Sequence, residues 1–573
     1  MRGKKNMRPY RKFRLYTLSP FFLFLFILIS AERAAAATAV TTCSLLDTQG
    51  EYILVNDLSG ALSEAPACIV IVASNVTLDC NGFNITNNGS EGAGGIHATG
   101  LPASPLTNIT VKNCAISEYF TGVTFQWTNN STITNNNAYN NEGGGFFLSD
   151  TNSSSLRNNI AFSNLGLGFS LLGSSDNALV GNSASNNRHG FRLAGTSTGN
   201  SFENSSSSDN TFSGFLIFAG SLNSFTNNNV VSNGGAGFDI SGGSFNSFTG
   251  NSVFNNTRGF FFSGGTAIYL VDNSIFSNTG SGVQVGQGSA CCSSDIRLDG
   301  DHLYNNNPDL HVEIRASFGI PAIRLNRVIF DSPGGNFIND TELSMTDSID
   351  GEPVPFAIYT IDWSPQPSAP LPDGLISFAG KFINITPLSG DSLIDSLISI
   401  DSITWHWLDS EPGDEGTFGI WNYNGAWTDM NAALDTAANT LSISELKPQG
   451  VFAILQSNPD EDFDGICDPG RASALCTGSD LCPGSVLDPI GKLSPNHYGQ
   501  TVDFGAFEAG PNNDESLVYN QEVTKGCTCS QIADKLGAGE GNKKKGCDRD
   551  LLEQWTGVSA QPDWNAGIGR NPP

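Results

Sequence analysis

The chain has 573 residues, a formal charge of −28 and only 15% charged residues. That acidity excludes nucleic acid and anionic membranes as electrostatic partners, and suits an exported surface protein or one that collects divalent cations. Solubility must rest on Asn, Ser, Thr and Gly, and the length allows several domains.

The start of the chain is built differently from the rest. Arg2, Lys4, Lys5, Arg8, Arg11, Lys12 and Arg14 precede the apolar run Phe21–Ile29, and the small residues of Ala34–Ala39 offer Ala-x-Ala cleavage sites. We read residues 1–39 as a signal peptide, the apolar run being short for a membrane span. The expected address is extracellular or cell-surface, with no membrane span after cleavage. Twelve cysteines in an exported chain read first as disulfides. Cys43, Cys68, Cys80 and Cys114 fall in the cap and first coils, residues 40–121. Of their three connectivities we take Cys43–Cys68 and Cys80–Cys114.

A Gly-plus-apolar step then recurs at Gly122, Gly145, Gly168, Gly190, Gly214, Gly237, Gly259 and Gly282, every 22–24 residues. Residues one and three after each glycine are apolar, as in Phe146/Leu148, Phe169/Leu171 and Phe215/Ile217. That is the two-residue period of a short strand with one buried face. A second apolar position runs Ile133, Leu156, Leu179, Phe202, Phe225, Phe248, Leu270, and a third Ala138, Ala161, Ala184, Ser206, Val230, Val253, Ile275. Three short strands per repeat leave no room for a helix, so the expected fold is all-β, a coil of parallel strands stacked about 4.8 Å apart. Asparagines, with one aspartate, follow the first seven glycines at two fixed offsets: Asn136, Asn159, Asn182, Asn204, Asn228, Asn251, Asn273, and Asn141, Asn164, Asn187, Asp209, Asn233, Asn256, Asn278. A carboxamide donates and accepts at once, so stacked asparagines are expected to bond their neighbours and the turn backbone.

The pattern Asn-x-apolar-x-x-Asn followed by Gly-Phe-x-Leu resembles the repeats of NosD-like right-handed parallel β-helix proteins. Ala73–Gly82 and Asn108–Cys114 are similar to the first coils of secreted members, so the likeness spans about Cys43 to Ile314. It implies the fold, with regular coils over 122–314. The fold itself carries lyases, hydrolases, adhesins and scaffolds. The vicinal pair Cys291-Cys292 beside the last coil is either a ring disulfide or two thiols, and its softness admits copper.

Regularity ends near Asn307. Alternating strands broken by Pro, Gly and Asp predict one or two β-sandwich-like modules over 315–456. Trp421–Trp427, Asp435–Leu441 and Gly450–Ile454 resemble a module that follows such coils in archaeal and bacterial surface proteins. Trp405, Trp407, Trp421 and Trp427 are read as sandwich core ahead of sugar-stacking residues.

Asp460-Glu-Asp-Phe-Asp-Gly-Ile-Cys-Asp468 places carboxylates at alternate positions with glycine at the sixth, an arrangement that converges on one hard cation. An EF-hand would need Glu where Arg471 stands. The stretch, with Asp480-Leu-Cys-Pro483, resembles a thrombospondin type 3 repeat over 457–490. It implies calcium at Asp460, Asp462, Asp464 and Asp468 with the Ile466 carbonyl. The linker and tail, 491–573, hold Cys527, Cys529 and Cys547 around helices expected at Ser530–Leu536 and Asp548–Trp555. Lys543–Lys545 reads as a solvated loop. Three cysteines in each cluster leave one odd thiol apiece, to pair across modules or with a partner.

The outward position of the first strand reads Thr124, Phe147, Ser170, Arg192, Leu216, Asp239, Phe261, Gln284. Arg192 and Asp239, two coils or roughly 10 Å apart, with His189 in the adjoining turn, are the weak catalytic candidates; Glu203 and Asp209 lie nearby in sequence. A glycosidase needs paired carboxylates, and none is evident. The Asn-Thr-Asp, Asp-Asp, Gly-His-Gly and Arg-Ile-Lys motifs of polygalacturonases and the Asp-Pro-His of alginate epimerases are missing. The expectation is a non-catalytic surface protein that binds glycans or other surface proteins. The alternatives are a polysaccharide lyase or hydrolase, and a copper-handling role like that of the NosD namesake, which four methionines and six histidines do not favour. Asn-x-Ser/Thr sequons such as Asn75, Asn255 and Asn384 permit glycosylation.

Overall fold

The computed structural model describes residues 36–559, apart from 64–66, 90, 287–292, 316–322, 338, 349–355, 389–394, 396, 412, 472, 474, 489, 491, 502, 505–506 and 512–518. Most of the expected signal peptide and the Cys291-Cys292 pair therefore lie outside the described residues.

The repeats wind into three parallel sheets. The first stacks Gly94–Thr99, Thr121–Gln126, Gly144–Ser149, Leu167–Leu172, His189–Ala194 and their successors. Register is kept coil after coil: Phe146 pairs with Phe169, Phe169 with Phe191, Phe191 with Phe215, Phe215 with Phe238 and Phe238 with Phe260. Their rings form one buried column, with centroids 4.6–4.8 Å apart and planes nearly parallel. Phe202, Phe225 and Phe248 form a second column 4.8–4.9 Å apart. It meets the first edge-on, as the quadrupoles of neighbouring rings prefer.

Each corner of the coil is a two-residue device. One residue takes a left-handed conformation, and the next turns a polar side chain inward. Asn135, Asn158, Gly181, Asn204, Asn227 and Gly250 have φ of 50–66°, where Gly and Asn are least penalised. Behind them Asn136, Asn159, Asn182, Ser205, Asn228 and Asn251 are buried. An inward amide whose next rung is also an asparagine donates to a backbone carbonyl and to that next amide, as Asn228 does to Phe202 O at 3.0 Å and Asn251 Oδ1 at 3.0 Å, whereas Asn182, facing Ser205, donates to Leu156 O alone. The next coil returns an acceptor to the backbone, Asn228 Oδ1 receiving Ser205 N at 3.0 Å.

The sequence reading misplaces one rung. Asn204 and Asp209 are left-handed corner residues, with φ of 50° and 54°, and the inward positions belong to Ser205 and Asn210. For the same reason the buried third-strand residue is Ser207, not Ser206. The extra residue of this 24-residue repeat lies before Phe202, so fixed offsets from Gly190 fall short of the rung by one. A third ladder, Ser154, Asn177, Asn200, Asn223 and Asn246, occupies the remaining corner.

Disulfides Cys43–Cys68 and Cys80–Cys114 tie the first coils. At the other end the last strands seed a sandwich. Leu310–Arg315 lies parallel to Val283–Val285 on one side and antiparallel to Phe356–Trp363 on the other. Ile323–Asp331 likewise joins the coil to Thr341–Asp347. One sheet continues through Ile400–His406, Thr440–Leu446 and Ala433–Asp435; the facing sheet continues through Leu375–Pro387, Gly450–Ser457, Gly419–Tyr423 and Trp427–Asp429. Their core, including Tyr359, Ile383, Trp405 and Phe452, is continuous with that of the coil. Trp405 and Trp407 are buried in it, while Trp421 and Trp427 pack on a smaller cluster around Phe382 and Leu455.

The tail has a separate core around Ile532, Leu552 and Trp555. Cys467–Cys476, Cys482–Cys527 and Cys529–Cys547 are bonded, so the two odd thiols pair across modules. Helices span Gln521–Thr524, Cys529–Lys535, Glu540–Lys545 and Arg549–Ser559. Lys543–Lys545 is thus helical and not a loop. The lysines occupy the last turn, where positive charge suits the helix dipole, and Lys543 pairs with Asp534.

Candidate functional site

The loop after the sandwich gathers carboxylates. Gly465, at φ 87°, allows the reversal after Asp464, and Asp460 accepts from Asp464 N at 3.1 Å and Gly465 N at 2.7 Å. Oxygens of Asp460, Asp462 and Asp464 lie within 4.8 Å of one another. The Cys482–Cys527 bond brings Asp480 and Gly526 to the same place. A Cβ on Gly526 would stand 1.9 Å from Asp480 Oδ1 and 2.9 Å from Asp464 Oδ2, so only glycine fits there. Asp462 Oδ1, Asp464 Oδ2 and Asp480 Oδ2 are buried with no hydrogen-bond partner. Burial pushes Asp464 up to about 7, and the charges of Asp462, Asp480 and Asp460 add to it. Asp480 is pushed up to about 6 by burial, with Asp462, Asp468 and Asp460 contributing.

Orphaned buried carboxylate oxygens that repel one another fit a hard divalent cation, which supplies the missing charge and accepts oxygen ligands alone. Asp460, Asp462, Asp464 and Asp480 are the residues placed to hold one. Asp468 accepts from Glu461 N at 3.1 Å and faces Arg471 at 3.7 Å. Ile466 N donates to Asp464 Oδ1 at 2.8 Å. Asp480 and Gly526 were missed as site residues by sequence reasoning; the paired cysteines next to each were the available signal.

The catalytic candidates lie on the outward face of the first sheet. Arg192, Leu216 and Asp239 are consecutive rungs of one file. His189 Nδ1 accepts from Ser213 N at 3.3 Å, and Ser213 Oγ donates to Asp239 Oδ2 at 3.3 Å. Ser213 thus connects two of the three candidates. Burial pushes His189 down to about 4, helped by Arg188 and Arg192, so the ring is neutral at pH 7. Burial raises Asp239, opposed by its Ser213 bond and by Arg258. Glu203 lies on another sheet and Asp209 in a corner, so neither joins the group.

The same face carries exposed apolar residues along both edges. Phe120, Leu165 and Phe212 are exposed along its entry edge, and Leu172, Phe218, Leu222 and Phe245 along its exit edge. Phe147, Arg192, Leu216, Asp239 and Phe261 lie half-buried between them. Arg188 caps the Phe212 ring at 5.5 Å and Arg258 the Phe261 ring at 4.8 Å.

The family model described as the right-handed beta helix region matches residues 45–207 and 197–342, just over half of the chain. The chain belongs to that family of parallel β-helix proteins. No curated protein sequence matches it. Among solved structures it is similar to the periplasmic alginate epimerase AlgG, at 15% identity over 50% of this chain and 76% of that one, TM-score 0.39. It is also similar to the A-module of the Azotobacter vinelandii mannuronan C-5 epimerase AlgE6, at 19% identity over 49% and 91% of the two chains, TM-score 0.33. A third is the Dettilon tailspike protein, at 12% identity over 73% and 86%, TM-score 0.33. Among the described residues no helix is long and apolar enough to cross a membrane.

Proposed function

We propose that this is an exported, calcium-binding surface protein that binds linear carbohydrate along the outward face of the first sheet, without turnover. The observation that carries the reading is the make-up of this face: exposed apolar residues along both edges flank a file of half-buried aromatic, cationic and acidic side chains. Aromatic and arginine side chains side by side suit sugars, which present apolar ring faces and hydroxyl edges. Rungs about 4.8 Å apart would meet a polymer laid along the axis at regular intervals. Five disulfides among the described residues support an oxidising compartment.

Glycan-array binding by the full chain, compared with F147A, R192A and F261A, tests this. Each substitution should weaken binding by roughly tenfold, the effect of about 1.4 kcal/mol. Equal binding by all four proteins, or none by the parent, would sink the proposal. Calcium at Asp460, Asp462, Asp464 and Asp480 is tested by calorimetric titration, which D464N should abolish.

A second reading has one observation of its own: the neutral His189 bonded through Ser213 to Asp239, with Arg192 nearby to meet an acidic sugar. That set would suit proton abstraction in a polysaccharide lyase. Release of unsaturated products from uronate polymers, lost in H189A, would favour it. The copper-handling reading rests on the NosD resemblance alone.

A further inference from the structure

The sandwich contains no cysteine, yet its two sheets meet at one buried ion cluster. Lys381 belongs to Leu375–Pro387, in the sheet that begins with Leu310–Arg315. Asp340 immediately precedes Thr341–Asp347 of the facing sheet. The strand carrying Lys381 is bulged just before it, with Ala379 and Gly380 at φ of 48° and 65°, and this turns the lysine inward. Its side chain is only 4% exposed. Lys381 Nζ lies 2.7 Å from Glu411 Oε1, 3.7 Å from Asp340 Oδ1 and 3.2 Å from the Asp340 carbonyl oxygen. Glu411 is fixed by its other oxygen, which accepts from Leu408 N at 2.8 Å. Phe378, with Lys381 Nζ 5.9 Å from its ring centre, and Phe418 form an apolar wall.

A lysine buried between two carboxyls is ordinarily a salt bridge. Three features go beyond one. The amine already stands near the distance at which intramolecular reactions proceed, and fixed neighbours react as if at about 10⁵–10⁸ M. Burial holds the Asp340 carboxyl above its usual range; Lys381 opposes this, and Glu411 and Asp331 reinforce it. A second carboxyl touches the amine and is placed to carry its protons.

We propose that Lys381 and Asp340 condense to an amide that covalently joins the two sheets, with Glu411 as the proton carrier. The ammonium of Lys381 gives up a proton through Glu411, and Asp340 takes one up, leaving a neutral amine beside a neutral acid. The nitrogen lone pair attacks Cγ of Asp340 and forms the C–N bond. Glu411 then moves a proton from nitrogen to the departing hydroxyl, the C–O bond breaks, and one water leaves. No electrons are transferred to or from another group.

Peptide mass mapping of the purified full chain tests this directly. The expected result, after digestion with a glutamate-specific protease that cuts between the two residues at Glu342 and Glu352, is a branched species that joins the Lys381 and Asp340 peptides, one water lighter than their sum. E411Q and K381R should each yield separate peptides. Separate peptides from the folded parent, with free Lys381, would overturn the proposal whether or not the variants fold. A link from Lys381 to Asn339 with loss of ammonia would overturn the assignment to Asp340.

Discussion

Nearly every buried amide of the coils has a twin one turn away, and each inner phenylalanine of the central column lies between two others. From Asp460 to Trp555 nothing repeats. There a small core is held by three disulfides, and the carboxylates beside it oppose one another. The coils distribute stability over many equivalent rungs, whereas the tail concentrates it in a few cross-links. Local damage should therefore spread differently in the two regions.

The largest effect is expected in the column. Phe215 is fully buried, stacked on Phe191 and Phe238 and edge-on to Phe202 and Phe225. F215A should cost about 3–5 kcal/mol in urea unfolding of the coils and leave the tail's transition in place. The converse is C482S/C527S, which should cost the tail about 2–4 kcal/mol while the coil transition stays fixed. One merged transition moving in both variants would show that the contrast is false. N228A comes next, at roughly 1–3 kcal/mol, since it strips Ser205 N and Phe202 O of their buried partner.

The cation sharpens the comparison through pH. Asp464 and Asp480 are pushed up to about 7 and about 6, so folding penalises their ionised forms. Without calcium the tail should be most stable near pH 4 and lose stability as pH rises through 6 and 7. With calcium the dependence should reverse, because protons then compete with the ion. D464N should stabilise the calcium-free tail at pH 7 and remove its response to calcium. Thermal melts with calcium and with chelator check both signs, and a calcium-free tail that strengthens between pH 5 and 7 would contradict them. The smallest effect is expected for D301N. It removes a buried acid pushed up to about 7 but sets an amide N–H₂ against the Asp299 N–H that Asp301 now accepts at 3.1 Å.

The coil was legible because its signal is local and repeated. Glycine spacing and the two-residue apolar period place the Phe column and most of the two expected ladders. The exceptions are instructive. Asn204 and Ser205 are neighbours, and a composition-based offset prefers the asparagine; the structure uses it for the left-handed corner and gives the inward rung to serine. The cation cage was half legible. Asp460, Asp462 and Asp464 share one loop, but Asp480 and Gly526 reach it only through the bond between Cys482 and Cys527. Lys381, Asp340 and Glu411 left no sequence pattern at all, because facing sheets bring together residues from distant parts of the chain.

The inward amides also have a direction. Asn136 donates to Asn159 and Asn159 to Asn182; after a break at Ser205, Asn228 donates to Asn251, Asn251 to Asn273 and Asn273 to Asp301. The neighbouring file ends in the same way, with Asn306 donating to Asp309. A carboxylate has nothing to pass on, so these two aspartates act as full stops. New turns spliced in upstream of Asn273 would inherit a donor and an acceptor, whereas turns added past Asp301 would begin with neither. The molecule can thus be lengthened from within but not from its far end.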